Sequence, residues 1–459
     1  MSDSTKAKGG SRSTNIVVLV AIMLLLTANQ AASYGGNVVL PARLTVIGGM
    51  DYYSVCSALQ SMGMMIILPL VGTLTKRFGT KRVVMSGVLL QGITRILVIV
   101  IGNVPLFIIN WMVSGMSAGL YMSAPYSMIA GMVDGEKRSK YFGYLSTFSA
   151  VGALAGPYIT GLIADSVYAD LAIIAYFPVA LFSLVVIGLM YSDQRSSRDF
   201  TQFDFAGILF LLAAVAGMVL WLSLGDKLFP RLSFAGIICL AVGVAGFLLL
   251  LKVEKDKENA SVPISIFSNN RFRWTFIARA LTSGYSTCIA AYGIVYIQQV
   301  MERSSTVSST ITMPQTVVQA LVGLFIGGWI GKNLQKRFYP MAVLGMGIYT
   351  AAMLIFFMLR PDSSMMTIYF ATGIGGISQA ITNSSLPAFF NASVKAEEYS
   401  AANGMYTFAA TGGSCIFVAV CGALQNAGCS INQLFLFSAV LCGIAFFIAL
   451  VKFRIPWEA

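Results

Sequence analysis

Apolar runs recur along the whole length of this chain of 459 residues, and short polar segments separate them. Each run has about 20 residues, the length that a helix needs to cross about 30 Å of hydrocarbon. The pattern therefore predicts an all-α polytopic membrane protein with fourteen transmembrane helices. The predicted spans lie near 14–40, 52–73, 83–102, 105–132, 141–164, 171–191, 205–224, 232–251, 274–299, 308–331, 340–359, 364–389, 402–424 and 431–451.

Composition agrees with a membrane protein and argues against several other classes. Hydrophobic residues make up 57% of the chain and charged residues only 10%. The seven cysteines include no C-x-x-C pair, so we interpret them as packed residues rather than as a disulfide framework or a metal site. The sequence contains no histidine, no phosphate-binding loop and no nucleophile–base pair. We expect neither an enzyme nor an ATP-driven pump, and we expect no metal or other cofactor.

Lysine and arginine are distributed unevenly between the predicted loops. Of the 30 Lys and Arg residues, 23 fall on one side of the membrane and five on the other. Because these residues are retained on the cytoplasmic side of short loops, the split predicts that both termini are cytoplasmic. The net charge of +12 is spread over these loops rather than gathered in one patch. We therefore expect the lipid bilayer, and not nucleic acid, as the surrounding partner.

Two sequence patterns recur at nearly the same interval. LTKRF at 74–78 returns as LQKRF at 334–338, an offset of 260 residues, and a glycine pair at 143 and 152 returns at 404 and 413, an offset of 261. The agreement predicts two homologous halves of six helices, with two helices inserted between them. The predicted divisions are a cytoplasmic tail (1–13), an N-terminal bundle (14–192), a linker with the inserted helices (193–273), a C-terminal bundle (274–452) and a second tail (453–459).

The segment GTLTKRFGTKR at 72–82 lies between the second and third apolar runs. Taken alone, it is typical of an ordinary basic loop. It also resembles the signature loop between helices 2 and 3 of the major facilitator superfamily, usually written G-x-L-x-D-R-x-G-x-K/R-R/K. Lys76 stands where the family has an Asp. In the family, that Asp helps to hold the loop to neighbouring helix ends in one transport state. The matching residues are Gly72, Leu74, Arg77, Gly79, Lys81 and Arg82.

The region between the halves resembles one branch of this superfamily, the fourteen-helix drug:proton antiporters. In that branch an F-D-x-x-G motif opens the first inserted helix, and a Pro-hydrophobic-Leu/Phe-x-N-R-x-F segment precedes the second half. The resemblance implies the major facilitator fold, with a midplane substrate site and alternating access by rocking of the halves. The corresponding residues are Phe203, Asp204 and Gly207, then Pro263, Phe267, Asn270, Arg271 and Phe272.

The fifth span carries a glycine motif, GYLSTFSAVGALAGPYITG. It resembles the antiporter signature G-x8-G-x3-G-P-x2-G-G, with Thr160 in place of one glycine. Glycines four apart let another helix approach closely, and proline permits a bend. Ordinary helix packing uses such glycines as well, but the resemblance implies a gating role. The motif residues are Gly143, Gly152, Gly156, Pro157 and Gly161.

Two residues that the resemblance links to proton and substrate coupling are replaced in this chain. Ala32 stands where an acidic residue is expected in the first helix, and Trp111 where an arginine is expected in the fourth. No acidic residue lies near the middle of a predicted span. Asp51 and Asp134, at span ends, are the remaining candidates for a protonatable group.

Two arginines lie inside predicted spans. Arg95 is about 20 Å from the cytoplasmic end of the third span, and Arg279 is six residues into the ninth. A charge at depth is costly and is by default a functional hypothesis, although long side chains near helix ends can reach water. Arg279 could therefore extend to the membrane surface. Arg95 could either pair with a structural partner or bind a substrate. If both face a central cavity, an anionic substrate fits them best.

In the family fold the cavity is lined chiefly by the first and fourth helices of each half, here spans 1, 4, 9 and 12. Their polar and aromatic residues either form hydrogen bonds between helices or contact a ligand. As a set they predict an aromatic, amphipathic pocket suited to bulky organic molecules. The set comprises Asn29, Gln30, Asn110, Tyr121, Tyr126, Tyr285, Tyr292, Gln379, Thr382 and Asn383.

These features together predict a secondary active transporter that exports amphipathic organic compounds, driven by the proton gradient. We expect it to be a monomer in the bacterial inner membrane that binds a small organic substrate. Two alternatives remain open. One is a carrier of the same fold that takes up or exchanges organic anions, and the other is a membrane sensor that binds a ligand without transporting it.

Overall fold

The computed structural model describes residues 12–49, 52–133, 135–164, 171–192, 205–224, 229–254, 264–303, 307–308, 310–426 and 428–454. We number its helical segments in chain order, counting as one segment two helices separated only by a short break. The segments are α1 (Arg12–Val46), α2 (Tyr53–Phe78), α3 (Thr80–Val100), α4 (Val104–Met132), α5 (Gly135–Ala164), α6 (Leu171–Met190), α7 (Phe205–Val219), α8 (Phe234–Glu254), α9 (Asn270–Gln299), α10 (Thr310–Gly331), α11 (Leu334–Phe357), α12 (Met365–Asn391), α13 (Tyr399–Asn426) and α14 (Ile431–Lys452).

The helical segments coincide with the predicted spans, which confirms an all-helical membrane fold. Eleven helices of the described residues are long and apolar enough to cross a membrane. Helices α5, α7 and α12 are not among these eleven, so the count of fourteen transmembrane helices stays a prediction. The largest shift that affects the site is in α9, which begins at Asn270 rather than near 274. Arg279 therefore lies nine residues into its helix, about 14 Å from the start.

Local breaks or π-helical turns occur in α4, α6, α7 and α9. In α4 the helix ends at Met122 and resumes at Ala124, and Pro125 follows, which lacks the N–H that a continuous helix requires. A π-helical turn, Leu220–Leu224, closes α7, and a second one, Ile289–Gly293, lies within α9. Such turns occur often at functional sites.

Within the N-terminal half, α1 and α5 pack closely because glycines line their contact. A Cβ atom placed on Gly156 would lie 2.6 Å from the carbonyl oxygen of Ala31, and one on Gly152 would collide with the carbonyl of Thr27. Thr160, which replaces a glycine of the signature, is accommodated because the facing residue of α1 is Gly35. Small residues thus allow the two backbones to touch along this contact.

Three cation-rich segments, around 76–82, 137–140 and 332–337, lie at one end of the bundle, and we call this the basic end. The two halves contact each other near it. On α5 and α10, a Cβ on Gly143 would lie 2.6 Å from the carbonyl oxygen of Gly323 and 2.9 Å from the Cα of Gly327. Deeper along the same contact, Thr147 Oγ1 donates to the carbonyl of Ala320 at 2.9 Å.

A second pair of helices, α2 and α13, joins the halves at the same end. A Cβ on Gly72 would lie 2.7 Å from the Cα of Ala401. Beside this contact, Arg138 at the start of α5 donates through Nη1 to the carbonyl of Asn391 at 3.2 Å. Its guanidinium also lies 4.9 Å from the ring centroid of Tyr399. The bundle is therefore closed at the basic end by contacts between its halves.

Candidate substrate-binding site

Arg279 lies between the two halves of the bundle. Its Nη1 donates to Asn383 Oδ1 on α12 at 3.4 Å, and its guanidinium lies 5.4 Å from the ring centroid of Tyr406 on α13. The side chain is partly buried, and its Nε atom is buried without a hydrogen-bond partner among the described residues. With its position deep in α9 and these inward contacts, Arg279 does not extend to the membrane surface.

Four tyrosines lie near enough to Arg279 to interact with it electrostatically. Tyr349 and Tyr406 belong to the C-terminal half, and Tyr34 and Tyr126 belong to the N-terminal half. We call these tyrosines and Arg279 the arginine cage. Tyr34 is 45% exposed although it lies within electrostatic range of Arg279. The cage therefore combines aromatic faces and hydroxyl groups from both halves with one cation, Arg279.

Several buried polar atoms of the described residues on the cage helices lack a hydrogen-bond partner. They include Nδ2 of Asn29 on α1, Oγ of Ser385 on α12 and the hydroxyl of Tyr406 on α13. A buried polar group without a partner costs about 1–3 kcal/mol, so such groups are usually satisfied. A ligand with hydrogen-bonding groups would reduce this cost. Within the cage itself, the unpaired Nε of Arg279 and hydroxyl of Tyr406 make it a candidate binding site.

Arg95, the other arginine inside a span, has a different environment. It is 6% exposed, its Nη2 donates to the carbonyl of Ala32 at 3.4 Å, and its guanidinium lies 5.3 Å from the ring centroid of Trp111. In the amide orientation that satisfies its neighbours, Gln91 Oε1 accepts from Arg95 Nε at 2.9 Å. All of these partners belong to the N-terminal half. Arg95 thus joins α1, α3 and α4, beside the two positions where the resemblance expects other residues.

The polar network of Arg95 continues along α3 and α4. Gln91 also contacts Ser114 and Ser117, and Asn110 Nδ2 donates to the carbonyl of Thr94 at 3.0 Å. Tyr121 is buried nearby and interacts electrostatically with Arg95. The predicted pocket residues Asn110 and Tyr121 are therefore placed in a network inside one half, and not in the arginine cage.

Five other predicted pocket residues contact residues of their own half. Gln30 Nε2 donates to Ser149 Oγ at 2.7 Å, and Gln379 Oε1 accepts from Gln315 Nε2 at 2.5 Å. Tyr285 is fully buried, with its ring centroid 4.6 Å from that of Tyr349. Tyr292 is thirteen residues beyond Arg279, about 20 Å along α9, and donates to the carbonyl of Val418 at 3.4 Å. Thr382 Oγ1 lies 3.4 Å from the hydroxyl of Tyr349, with which it shares a hydrogen bond.

The predicted gating residues occupy two kinds of contact. Gly143 and Gly152 are nine residues apart, which places them on opposite faces of α5. Gly143 meets the other half, whereas Gly152 and Gly156 meet α1. Pro157 lies inside α5, and the surroundings of Gly161 in the same helix lie outside the described residues.

The basic loop is built around Gly79. Its φ of 86° is rarely adopted by residues with a side chain, and its N–H donates to the carbonyl of Thr75 where α2 turns into α3. Gly72 meets α13, Arg77 lies 5.6 Å from the ring of Phe78, and Arg82 is exposed. Outside the described residues are the proton-coupling candidates Asp51 and Asp134, and the branch-motif residues Phe203, Asp204 and Pro263.

Sequence reasoning identified Arg279, Asn383 and Tyr126 but missed three tyrosines of the cage. Tyr349 and Tyr406 lie on α11 and α13, helices that were not expected to line the cavity. Tyr34 lies on a lining helix, α1, but was not selected. Each is a polar aromatic residue inside an apolar helix, a signal that becomes informative only when the helices are packed.

A helical bundle whose two halves enclose a polar site is the arrangement of a membrane transporter. The chain belongs to the Major Facilitator Superfamily, whose family profile matches residues 18–417. It is therefore a polytopic integral membrane protein with the fold of that superfamily, as the sequence predicts.

Known proteins similar to this chain include two from Bacillus subtilis strain 168. Multidrug resistance protein 3 is 23% identical over 308 residues, which is 66% of this chain and 59% of that protein. Multidrug transporter protein MdtP is 21% identical over 423 residues, 92% of this chain and 77% of that protein. Among solved structures, that of the human organic anion transporter MFSD10 (TETRAN) has a TM-score of 0.70 at 12% identity, over 95% of this chain and 99% of that one.

Proposed function

We propose that the protein is a secondary active transporter that exports amphipathic organic compounds by alternating access, in exchange for protons. The observation that carries the proposal is the arginine cage, because residues of both halves contribute to it. A site shared by two halves changes its exposure when the halves rock against each other. The similarity to multidrug transporters supports organic compounds as the substrate class.

The proposed topology follows from the basic loops. All fourteen helical segments cross the bacterial plasma membrane, with both termini in the cytoplasm. The basic end is then the cytoplasmic end, and its closure by Gly143, Gly327 and Arg138 corresponds to an outward-facing state. The protein acts as a monomer without a cofactor, and the proton gradient supplies the energy.

A second candidate function, the transport of organic acids, is favoured by the charge of the cage. The sequence contains no Asp or Glu in 264–301, 303–361, 363–396 or 399–457, so the helices around Arg279 supply no counter-charge along their length. A carboxylate on a substrate would be that counter-charge, with a charge-assisted hydrogen bond to the unpaired Nε. An aromatic acid would also pack against the tyrosine rings.

Transport assays in proteoliposomes distinguish the two candidates. The purified protein is tested with ethidium, a cationic dye, and with carboxyfluorescein, an organic acid, in wild type, Arg279→Gln and Arg279→Lys. A carrier of acids should lose about 10- to 150-fold in carboxyfluorescein flux with Arg279→Gln, since a hydrogen bond to a charged group contributes about 1.5–3 kcal/mol. Arg279→Lys should retain part of the flux because it keeps the charge.

An exporter of cationic drugs gives the opposite result. Ethidium flux should survive Arg279→Gln, and removal of the repelling cation should not lower it. Binding of either probe without flux would contradict transport altogether and would favour the sensor that the sequence leaves open.

Proton coupling is tested separately, by collapsing the pH gradient with an ionophore in the same proteoliposomes. Coupled export should stop, and substrate addition should move protons in a stoichiometric way. Asp51→Asn and Asp134→Asn should each be compared with wild type. Substrate flux that continues unchanged without a proton gradient would refute antiport but not transport.

A further inference from the structure

A groove of about 640 Å³ lies on the outer surface of the C-terminal half, between α11 and α14. Its lining includes the exposed residues Leu344 and Ala351 of α11 and the partly buried Phe446 and Leu450 of α14. The side chains that line it are apolar except for Tyr339, whose hydroxyl donates to the carbonyl of Leu450 at 3.2 Å. The groove is therefore suited to a hydrocarbon chain.

The length and position of the groove match one leaflet of a membrane. Its lining on α11 extends from Tyr339 to Ala351, twelve residues or about 18 Å. Half of the hydrocarbon core of a bilayer is about 15 Å thick. Tyr339 lies near the start of α11 and Leu450 near the end of α14, so the groove begins at the basic end and extends towards the membrane centre.

Cations surround the mouth of the groove. The guanidinium of Arg454 lies 5.3 Å from the ring centroid of Tyr339, a residue of the lining. Lys336 is three residues before Tyr339 and four before Pro340, which places it on the same face of α11. Both cations are exposed. The stretches 332–340 and 450–454 carry five Lys and Arg residues and no acidic residue.

We propose that this groove binds an anionic phospholipid of the leaflet at the basic end. An acyl chain lies along Leu344, Gly347 and Ala351, and the phosphate is held by Arg454 and Lys336. A guanidinium offers paired N–H donors that match phosphate oxygens, and basic pockets between membrane helices bind anionic headgroups. Neither the chain nor the headgroup contacts the arginine cage, so this site is separate from the proposed substrate site.

The floor of the groove explains why a lipid chain can approach the helices closely. A Cβ on Gly347 would lie 3.2 Å from the ring of Phe446, so a larger residue at this position would raise the floor or displace the ring. The opposite face of α11 is buried and includes Tyr349 of the cage. A chain in the groove would therefore pack against the outer face of a helix whose inner face serves the substrate site.

The proposal is tested by native mass spectrometry of the full-length protein in detergent. Phosphatidylglycerol and phosphatidylcholine with the same acyl chains are added in turn, and the lipid-bound fractions are compared. Wild type should retain phosphatidylglycerol preferentially. Arg454→Gln/Lys336→Gln should weaken its binding about 30-fold, since each cation near an anionic headgroup contributes about 1 kcal/mol. The matched variant Lys76→Gln/Lys137→Gln removes two exposed cations from the other half and should bind as wild type does.

A further variant tests the acyl chain. Ala351→Phe places a ring in the groove at an exposed position and should reduce phosphatidylglycerol binding with both cations intact. Equal retention of the two lipids by wild type would overturn the proposal. Equal losses in the two double variants would show a general charge effect and would overturn it as well. Unchanged binding by Ala351→Phe would show a surface phosphate site without a seated chain, contrary to the proposal.

Discussion

The contact between α5 and α10 predicts that a single methyl group at Gly327 opens the basic end. A Cβ on Gly327 would overlap the carbonyl oxygen of Ser139 and lie 2.7 Å from the Cα of Gly143. Both are backbone atoms, so neither can rotate away. Carbon atoms are in favourable contact at about 3.5–4.0 Å, so the helices would have to separate by about 1 Å.

The size of the expected shift towards the open state follows from the free-energy cost of this overpacking. Inserting a methyl group into a close-packed contact costs about 1–3 kcal/mol. The cost applies only while the basic end is closed, so the equilibrium between closed and open should shift by about 5- to 150-fold in Gly327→Ala. Gly328→Ala is the matched control, since a Cβ there would lie 3.6 Å from Lys140 Cγ, an ordinary contact. Both variants replace Gly by Ala and so gain about 1 kcal/mol of helix propensity. This gain cancels when the two variants are compared with each other.

Distance measurements between spin labels test this prediction. Labels attached through unnatural amino acids at the exposed positions Lys76 and Gln335 report on the two halves and leave the native cysteines unlabelled. Gly328→Ala should keep the short distance of wild type, and Gly327→Ala should populate a longer one. If the two variants gave the same distance distribution, the close approach of α5 and α10 could not be what holds the basic end closed.

Three further predictions concern single side chains. Arg138→Ala should also populate the longer spin-label distance, because it removes the hydrogen bond to Asn391 and the contact with Tyr399; Lys137→Ala, which removes an exposed neighbour, should not. Arg95→Leu should destabilise the protein by about 2 kcal/mol, because it removes a buried hydrogen bond from a charged group. The control Arg82→Leu changes an exposed residue and should leave the melting temperature unchanged. Equal melting temperatures of the two variants would contradict a structural role for Arg95. Tyr406→Phe should keep the melting temperature, since its hydroxyl has no partner among the described residues, but Tyr406→Ala should weaken substrate binding in a fluorescence titration by removing the ring beside Arg279.

The helices and their order could be predicted because membrane insertion depends on local properties of the chain. Long apolar runs determine where helices form, and the cations between them indicate the loops. The break after Met122 also has a local cause in Pro125. The sequence predicts the start of α9 four residues too late because the first turn of the helix, Asn270 to Arg273, is polar like a loop. That shift changed the depth inferred for Arg279.

The two arginines inside the spans show which roles the sequence alone cannot separate. Both lie within apolar helices, and their neighbours along the chain do not distinguish a structural role from a binding role. The distinction depends on residues far away in sequence. Arg95 meets the carbonyl of Ala32 and the ring of Trp111 in its own half, whereas Arg279 faces tyrosines of both halves and retains an unpaired Nε. Only the packing of the helices brings these partners together.

The geometry of α13 links the closed basic end to the arginine cage. Tyr399 lies under Arg138, Ala401 meets Gly72, and Tyr406 covers Arg279. Tyr399 and Tyr406 are seven residues apart, so they share one face of a helix that rises about 10 Å between them. If the helix moves as a rigid body, separation of the halves at Tyr399 must also shift Tyr406 relative to the tyrosines contributed by the other half. Opening of the basic end would therefore disassemble the cage, which is the behaviour that release of a substrate on that side requires.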